Sequence, residues 1–174
     1  MNFSNKVAFN ACDSYNEERL VAILREQMDI FGYDSEFFKG KKVVIKPNLV
    51  MKKSPDAAAT TNPTVLSALL TVLAERDCAP VIAESPGGIF NRQRMEGIYR
   101  VCGIEAVANK HGVALNYDTD AVNVAFPEGK TVKLFHILKP VAEADILIDL
   151  CVLKSHGLTK MSAAIKNFFG TIPG

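Results

Sequence analysis

The sequence contains no tryptophan and only four cysteines, which are Cys12, Cys78, Cys102 and Cys151. They lie far apart, and none forms a CxxC pair or another spacing typical of zinc or iron–sulfur ligands. We therefore expect no metal site within this chain. Widely spaced cysteines of this kind are typical of reduced thiols, so we expect a cytoplasmic protein.

The sequence also lacks an excess of charge and a long apolar run. Its 20 basic and 19 acidic residues leave a net charge of +1, and no cluster of lysine and arginine supports binding of nucleic acid or of an anionic membrane. Asp145 and Asp149 interrupt the longest apolar region, and residues 1–12 have no basic stretch followed by an apolar core. The sequence thus predicts neither a transmembrane helix nor a signal peptide.

Apolar residues are abundant enough for one buried core, since 48% of the 174 residues are hydrophobic. Runs of branched apolar residues alternate with helical patterns, and they predict strands at residues 6–9, 43–45, 81–83 and 146–150. Such runs are typical of strands that are buried on both faces. We therefore predict a single α/β domain over residues 1–174, with a mostly parallel sheet flanked by helices.

Capping signals predict where the first two helices begin and end. Ser14 and Glu17 have the spacing of a capping box, and Gly32 is expected to end the helix that follows. Asn62 and Pro63 fit the N-cap and the first position of the second helix. Further helical patterns cover residues 92–102, 105–111 and 163–169.

Two features depart from a simple alternation of strands and helices. Residues 122–126 and 131–136 flank a Pro-Glu-Gly-Lys turn at 127–130, which predicts an antiparallel hairpin as an excursion from the parallel sheet. The last helical pattern runs into Gly-Thr-Ile-Pro-Gly at 170–174, a turn that normally leads to further structure. We therefore expect this domain to be the N-terminal part of a longer protein.

Polar residues follow each predicted strand, at the edge where open α/β sheets bind their ligands. Lys46 and Asn48 come directly after residues 43–45, and they either line this edge or stabilise their own turn. Thr60 and Thr61 precede the second helix, whose free N–H groups and dipole favour an anion. The alternative for the threonines is helix capping alone.

A carboxylate, a hydroxyl and a glycine pair follow the predicted strand at 81–83. Glu84 is a candidate general base, metal ligand or partner of Lys46, and Ser85 supplies the hydroxyl. Gly87, the first glycine of the pair, lets the backbone approach a ligand closely. The glycines are equally compatible with a plain loop, because they match no phosphate-binding fingerprint.

Lys154 and His156 follow the predicted strand at 146–150 and face one side if the chain stays extended. Together they would combine a cation for an anionic ligand with a titratable imidazole. Lys166 and Asn167 lie on the last predicted helix, opposite an apolar stripe, and a solvent-exposed helix face is the alternative for them. That stripe consists of Met161, Ala164, Ile165 and Phe168.

In their order and spacing, these segments resemble the family known as domain of unknown function 362. The segments that carry the resemblance are Lys46-Pro47-Asn48, Thr60-Thr61-Asn62-Pro63, Glu84-Ser85-Pro86-Gly87, Lys154-Ser155-His156 and Ala164-Ile165-Lys166-Asn167-Phe168-Phe169-Gly170. The resemblance extends from about residue 43 to the last residue. It implies one shared polar site that contains Lys46, Asn48, Lys154, His156, Lys166 and Asn167.

Members of that family are often longer than this chain, and many carry a ferredoxin-like 4Fe-4S segment. This chain departs from that pattern, because it contains no cluster motif. The resemblance therefore implies no cofactor within this chain and a 4Fe-4S cluster only in a C-terminal segment outside it.

The residues and the resemblance together leave three functions open. The first is an enzyme, or part of one, that acts on an anionic small molecule. Lys46 and Lys154 would neutralise its phosphate or carboxylate groups, and Glu84 or His156 would transfer a proton. The second is the non-cluster substrate or docking domain of an iron–sulfur redox protein, with a ferredoxin-like domain or another electron-transfer protein as its partner. The third is a binding domain without catalysis.

Overall fold

The computed structural model describes residues 5–173 and shows an α/β fold. The helices are Glu17–Ile30 (α1), Ser35–Phe38 (α2), Pro63–Ala74 (α3), Arg92–Val101 (α4), Ile104–His111 (α5), Lys139–Ala142 (α6) and Ala164–Asn167 (α7). Short 3₁₀ helices cover Pro55–Ala57 and Phe168–Thr171. Residues 1–4 and Gly174, which the single-domain prediction includes, lie outside the described residues.

The described residues form one parallel sheet and two antiparallel hairpins. The strands are Val43–Pro47 (β1), Val81–Ile82 (β2), Ala114–Leu115 (β3), Ala121–Ala125 (β4), Leu134–Leu138 (β5), Ile146–Leu150 (β6), Lys154–His156 (β7) and Lys160–Ser162 (β8). The parallel sheet has the order β3-β2-β1-β6, while β4 pairs with β5 and β7 pairs with β8. The predicted fold class is thereby confirmed, including its hairpin excursion.

β1 lies inside the sheet, between β2 and β6, and all five of its residues are buried. Its Val44 is in register with Val81 on β2 and with Leu147 on β6. Because the strands are parallel, the segments that follow β1, β2 and β6 all emerge at the same edge of the sheet. We call this the carboxyl edge, and it carries the candidate site.

The two faces of the parallel sheet are covered unequally. On one face, Leu66 and Leu73 of α3 pack with Ile98 of α4 and with β1 in the main hydrophobic core. On the other face, the buried apolar cluster consists of Val44, Ala83 and Leu138. The helices α1, α3, α4 and α5 therefore stabilise one face, and shorter segments cover the other. Within residues 5–173, no helix is both long and apolar enough to cross a bilayer.

The predicted helix starts are confirmed for α3 and displaced for α1. Asn62 is the N-cap of α3, and Pro63 occupies its first position. α1 begins after Asn16, whose side chain accepts a hydrogen bond from the Arg19 N–H at 2.8 Å. The predicted start at Ser14 is therefore wrong by two residues, because asparagine is as good an N-cap as serine.

The predicted strand at residues 6–9 is wrong. These residues have no strand pairing, and the side chains of Val7 and Phe9 are 88% and 90% exposed. Alternating apolar residues form a strand only where a neighbouring strand pairs with them, and tertiary structure decides whether one is present.

The hairpins also differ in detail from the prediction. In the first hairpin, β5 begins at Leu134 rather than at residue 131, and Asn123 is in register with His136. The second hairpin, formed by β7 and β8, was not predicted, because its three-residue strands are too short to show a pattern. The last predicted helix is confirmed as the short α7, followed by a 3₁₀ turn.

Candidate functional site at the carboxyl edge

Three parts of the chain meet at the carboxyl edge of the sheet. Lys46 lies near the end of β1, Glu84 follows β2, and Asn167 ends α7. They border a cavity of about 190 Å³, which we call the inner cavity. Of the residues predicted to form the site, those that line it are Lys46, Asn48, Glu84, Ser85, Gly87, Lys166 and Asn167.

Lys46 is the central cation of the site, and only 1% of it is exposed. Its Nζ donates to Glu84 Oε2 at 2.6 Å, to Asn167 Oδ1 at 3.1 Å and to the Pro47 carbonyl at 2.9 Å. An ammonium group has three N–H donors, and all three are used here. All three donors of Lys46 thus go to protein acceptors, and Glu84 is its ion-pair partner.

Glu84 is equally buried, with 2% of its surface exposed. Besides Lys46, its carboxylate accepts hydrogen bonds from the backbone N–H of Leu49 at 3.2 Å and of Ser85 at 3.1 Å. Burial raises the pKa of Glu84 to about 7, although Lys46 and these hydrogen bonds favour the charged form. At neutral pH this carboxyl group can thus both accept and donate a proton.

Two asparagines connect the ion pair to the rest of the edge. Asn48 Nδ2 donates to Asn167 Oδ1 at 2.8 Å, and Asn48 Oδ1 accepts from Lys154 Nζ at 2.5 Å. Asn167 Nδ2 in turn donates to Asp149 Oδ1 at 2.5 Å. One hydrogen-bonded network therefore joins β1, β6, β7 and α7.

Asp149 belongs to this network, although the sequence analysis did not select it. It lies inside β6 in register with Lys46, and its buried Oδ2 atom has no hydrogen-bond partner among residues 5–173. Burial raises the pKa of Asp149, against the opposing effects of Asn167 and Lys46. A carboxylate within a run of buried apolar residues was the signal that could have identified it.

Positive charge exceeds negative charge at the site. Three lysines, Lys46, Lys154 and Lys166, face two carboxyl groups, Glu84 and Asp149. Burial lowers the pKa of Lys154, and repulsion by Lys166 lowers it further. Lys166 lines the inner cavity and is half-buried, and it has no hydrogen-bond or ion-pair partner within residues 5–173. It is therefore the lysine that is free to contact a ligand.

Gly170 is a second residue that the sequence analysis did not select for the site. A Cβ atom at this position would overlap Glu84 Oε1 and lie 2.8 Å from Lys46 Nζ. The Gly170 carbonyl also accepts a hydrogen bond from the Ser85 N–H at 2.8 Å. The close approach of the chain to the ion pair thus requires glycine here, and its position in the family-like segment 164–170 was the available signal.

The exposed-face alternative for α7 is wrong for Asn167. Asn167 is buried, whereas Ile165, a member of the predicted apolar stripe, is 87% exposed. α7 spans only four residues and contacts β6 and β8 rather than a helix layer. The Asn167 side of α7 therefore faces the protein, because Asn167 is hydrogen-bonded to Lys46 and to Asp149.

The two threonines do not line the inner cavity. Thr61 Oγ1 accepts from the Asn48 N–H at 2.8 Å and donates to the Leu150 carbonyl at 2.7 Å, so it joins β6 to the segment after β1. Thr60 is buried, and its Oγ1 atom has no hydrogen-bond partner in the part of the chain that the structure describes.

Lys154 and His156 face the same side of β7, because both are half-buried while Ser155 between them is exposed. The side chains of Lys154 and His156 nevertheless make different contacts. Lys154 Nζ donates to Asn48 and to the Ala59 carbonyl. His156 Nδ1 accepts from the N–H groups of Leu158 and Thr159 in the hairpin turn, and His156 does not line the inner cavity.

The 4Fe-4S cluster that the family resemblance implies was predicted to lie outside this chain. Within residues 5–173, no three His, Cys, Asp or Glu side chains converge as a metal site. Of the cysteines, Cys78 and Cys102 are buried, Cys151 is half-buried and Cys12 is exposed. The 4Fe-4S alternative therefore stays a prediction about polypeptide outside this sequence.

Comparisons with known proteins identify the family. A thylakoid-associated protein of Synechocystis sp. (strain ATCC 27184 / PCC 6803 / Kazusa) is 28% identical over 167 residues, which are 92% of this chain and 49% of that protein. The chain thus spans about half the length of this relative. No solved structure matches the chain. The family model for the domain of unknown function DUF362 matches residues 43–174, and the chain belongs to that family.

Proposed function

We propose that this domain is part of an enzyme that binds a small anionic molecule at the carboxyl edge and transfers a proton through Glu84. The observation that carries the proposal is a buried carboxyl group on the wall of a cavity whose charged residues have an excess of lysine. Ionisable groups with this combination of burial and a specific charge partner are concentrated in active sites.

The anionic group of the ligand contacts Lys166 in this proposal. Among the described residues, Lys166 is the cation on the cavity wall that has no partner. Lys46 and Lys154 donate to protein acceptors and contribute their positive field. Charge-assisted hydrogen bonds from lysine favour carboxylate and phosphate groups. The ligand class is therefore a small carboxylate or phosphate.

Glu84 is the proton carrier in this proposal. Its pKa of about 7 allows a substantial fraction of both protonation states at neutral pH. Lys46 fixes the position of the carboxylate and stabilises its charged form. Loss and uptake of the proton by Glu84 therefore differ little in free energy near neutral pH. His156, the other predicted acid–base residue, has no role here because its ring is engaged in the hairpin turn.

Isothermal titration with inorganic phosphate and acetate as probes tests the anion site. Lys166→Gln is expected to weaken binding of the preferred probe about tenfold or more, since it removes one charge-assisted hydrogen bond. Lys130→Gln, on an exposed hairpin loop, is the matched control and is expected to have no effect. Equal binding by wild type and Lys166→Gln would contradict the proposed anion site.

Proton uptake during the same titration tests Glu84. An anion that binds nearby disfavours the carboxylate and raises the pKa of Glu84 further, so binding at pH 7.5 takes up protons. Titrations in buffers of different ionisation enthalpy measure this uptake. We expect uptake in the wild type and none in Glu84→Gln, with circular dichroism to verify that the variant is folded. Identical uptake in both proteins would remove Glu84 from the mechanism.

A cytoplasmic location is part of the same proposal. It rests on the four widely spaced cysteines, a pattern typical of reduced thiols. The name of the Synechocystis relative associates that protein with thylakoids. Cell fractionation followed by immunodetection checks the location, and recovery of this protein with membranes would contradict it.

A further inference from the structure

A second cavity is lined by the continuation of two loops that also line the inner cavity. It measures about 510 Å³, and we call it the outer cavity. The same two loops line both: Val50 and Gly87 border the inner cavity, whereas Met51, Lys52 and Ile89 border the outer one. A ligand held near Glu84 can therefore extend along these loops.

The outer cavity contains two cations and no acidic residue. Lys52 and Arg94 line it, and neither has an ion-pair partner within the described part of the chain. Arg92 and Arg100 on the same helix each have a glutamate partner, at 2.9 Å and 3.3 Å. The lack of counter-charge is thus a property of this cavity rather than of α4 as a whole.

Glycines determine where these two cations lie. The Arg94 guanidinium packs against Gly88, where an added Cβ would lie 3.2 Å from Nη2, and Nη2 donates to the Gly87 carbonyl at 2.8 Å. The Lys52 side chain crosses α4 at Gly97, where any Cβ would overlap it. Arg94 is therefore held beside Gly87, which lines the inner cavity, and Lys52 lies against α4.

The Arg94 guanidinium is also incompletely satisfied. Its Nε atom is buried and has no acceptor, so hydrogen bonds within residues 5–173 do not account for all its donors. Met51 and Ile89, which also line the outer cavity, present exposed apolar side chains. The outer cavity thus combines an anion-binding end with an apolar approach.

The geometry points to an elongated ligand with two anionic groups, one at Lys166 in the inner cavity and the other at Lys52 and Arg94 in the outer cavity. The two groups are joined by a short apolar spacer beside Met51 and Ile89. This inference rests on the proposed function and narrows its substrate class to dicarboxylates or phosphate-bearing carboxylates.

A series of α,ω-dicarboxylates from malonate to suberate, each with the monocarboxylate of equal length, tests the inference by isothermal titration. We expect one dicarboxylate length to bind about tenfold tighter than its monocarboxylate, through the added charge-assisted contacts. Arg94→Gln and Lys52→Gln are each expected to remove this gain and to leave monocarboxylate affinity unchanged. Arg92→Gln, on the same helix but outside the cavity, is the matched control.

Different variants test the outer anion site and the inner anion site. If Arg94→Gln and Lys52→Gln leave dicarboxylate affinity unchanged, or weaken both series equally, the second anionic end is wrong while the inner site stands. If Lys166→Gln also leaves all affinities unchanged, the proposed function itself is wrong. A matched series of ω-phosphonocarboxylates shows which end prefers phosphate. Binding of neither series at any length would overturn the inference.

Discussion

Two regions of this domain are buried to a similar degree and have opposite chemistry. Beneath α3 and α4, Leu66, Leu73 and Ile98 are completely buried in the hydrophobic core. At the carboxyl edge, Lys46 and Glu84 are almost as inaccessible, yet both are ionisable. Burial stabilises the first region, whereas removing charges from water destabilises the second unless the charges are paired. A buried polar cluster of this kind is unfavourable for stability, and such departures from an apolar core are typical of functional sites.

Breaking the ion pair on one side is expected to have the largest effect. Lys46→Met leaves the carboxyl group of Glu84 buried without its cation, which should lower the free energy of unfolding by about 3–5 kcal/mol. The double variant Lys46→Met/Glu84→Leu should recover most of this loss, because an apolar pair fits a dry site. Urea denaturation measures both, and a double variant as unstable as the single one would contradict this view of the edge.

The stability of the edge should also depend on pH. Because the pKa of Glu84 is raised from 4.5 to about 7, the folded state binds a proton that the unfolded state releases between these values. This contribution is fully present below pH 4.5 and is lost as pH rises through about 7. It amounts to on the order of 3 kcal/mol.

Urea denaturation from pH 4.5 to 8 measures that change. Other groups titrate over the same range, so the informative quantity is the difference in unfolding free energy between wild type and Glu84→Gln. We expect the wild type to lose stability relative to the variant as pH rises. A difference that is constant with pH would show that Glu84 titrates normally.

Adding a side chain at Gly170, where the backbone passes close to the ion pair, should lower the unfolding free energy by a smaller amount. Gly170→Ala places a methyl group on Glu84 Oε1 and pushes the segment after α7 away from the edge. We expect a loss of about 1–3 kcal/mol, as for other overpacked sites. Gly157→Ala is the control, since a Cβ there meets no atom within 4 Å. Equal stabilities of the two variants in thermal unfolding would contradict the close approach.

The smallest effect is expected at a polar cluster that belongs to the helix layer. Ser67 Oγ lies 2.6 Å from Glu17 Oε1 and 2.8 Å from His111 Nε2, so it joins α3 to α1 and α5. Ser67→Ala should lower the unfolding free energy by about 1 kcal/mol, the typical net value of such a bond. It should not alter anion binding, and a change in the titrations would show coupling between the two regions.

Local patterns predicted five of the helices in the described residues, α1, α3, α4, α5 and α7, and three strands of the parallel sheet. The Asn62-Pro63 start of α3 and the branched runs of β1, β2 and β6 are signals within a few residues, and the structure confirms them. Residues 6–9 show the same kind of signal without forming a strand. A strand needs a partner from elsewhere in the chain, and no local pattern specifies that partner.

Most of the residues predicted for the candidate site meet at one cavity, and their function stays a proposal. The rule that ligands bind beyond the carboxyl ends of parallel strands selected Lys46, Asn48 and Glu84, which the structure brings to one cavity. It also selected His156, which the structure places in a hairpin turn instead. Asp149 was not selected, because its place within a strand run gave no sign that its side chain meets Asn167.

Sequence patterns were sufficient for the α/β class, the start of α3 and the presence of polar residues after the strands, because these depend on neighbours a few positions away. Only the tertiary structure decided which of those residues meet. Lys46 and Asn167 are 121 positions apart, yet their side chains are hydrogen-bonded in a buried network. The raised pKa of Glu84 has the same origin, since desolvation depends on every segment that packs around the carboxyl group.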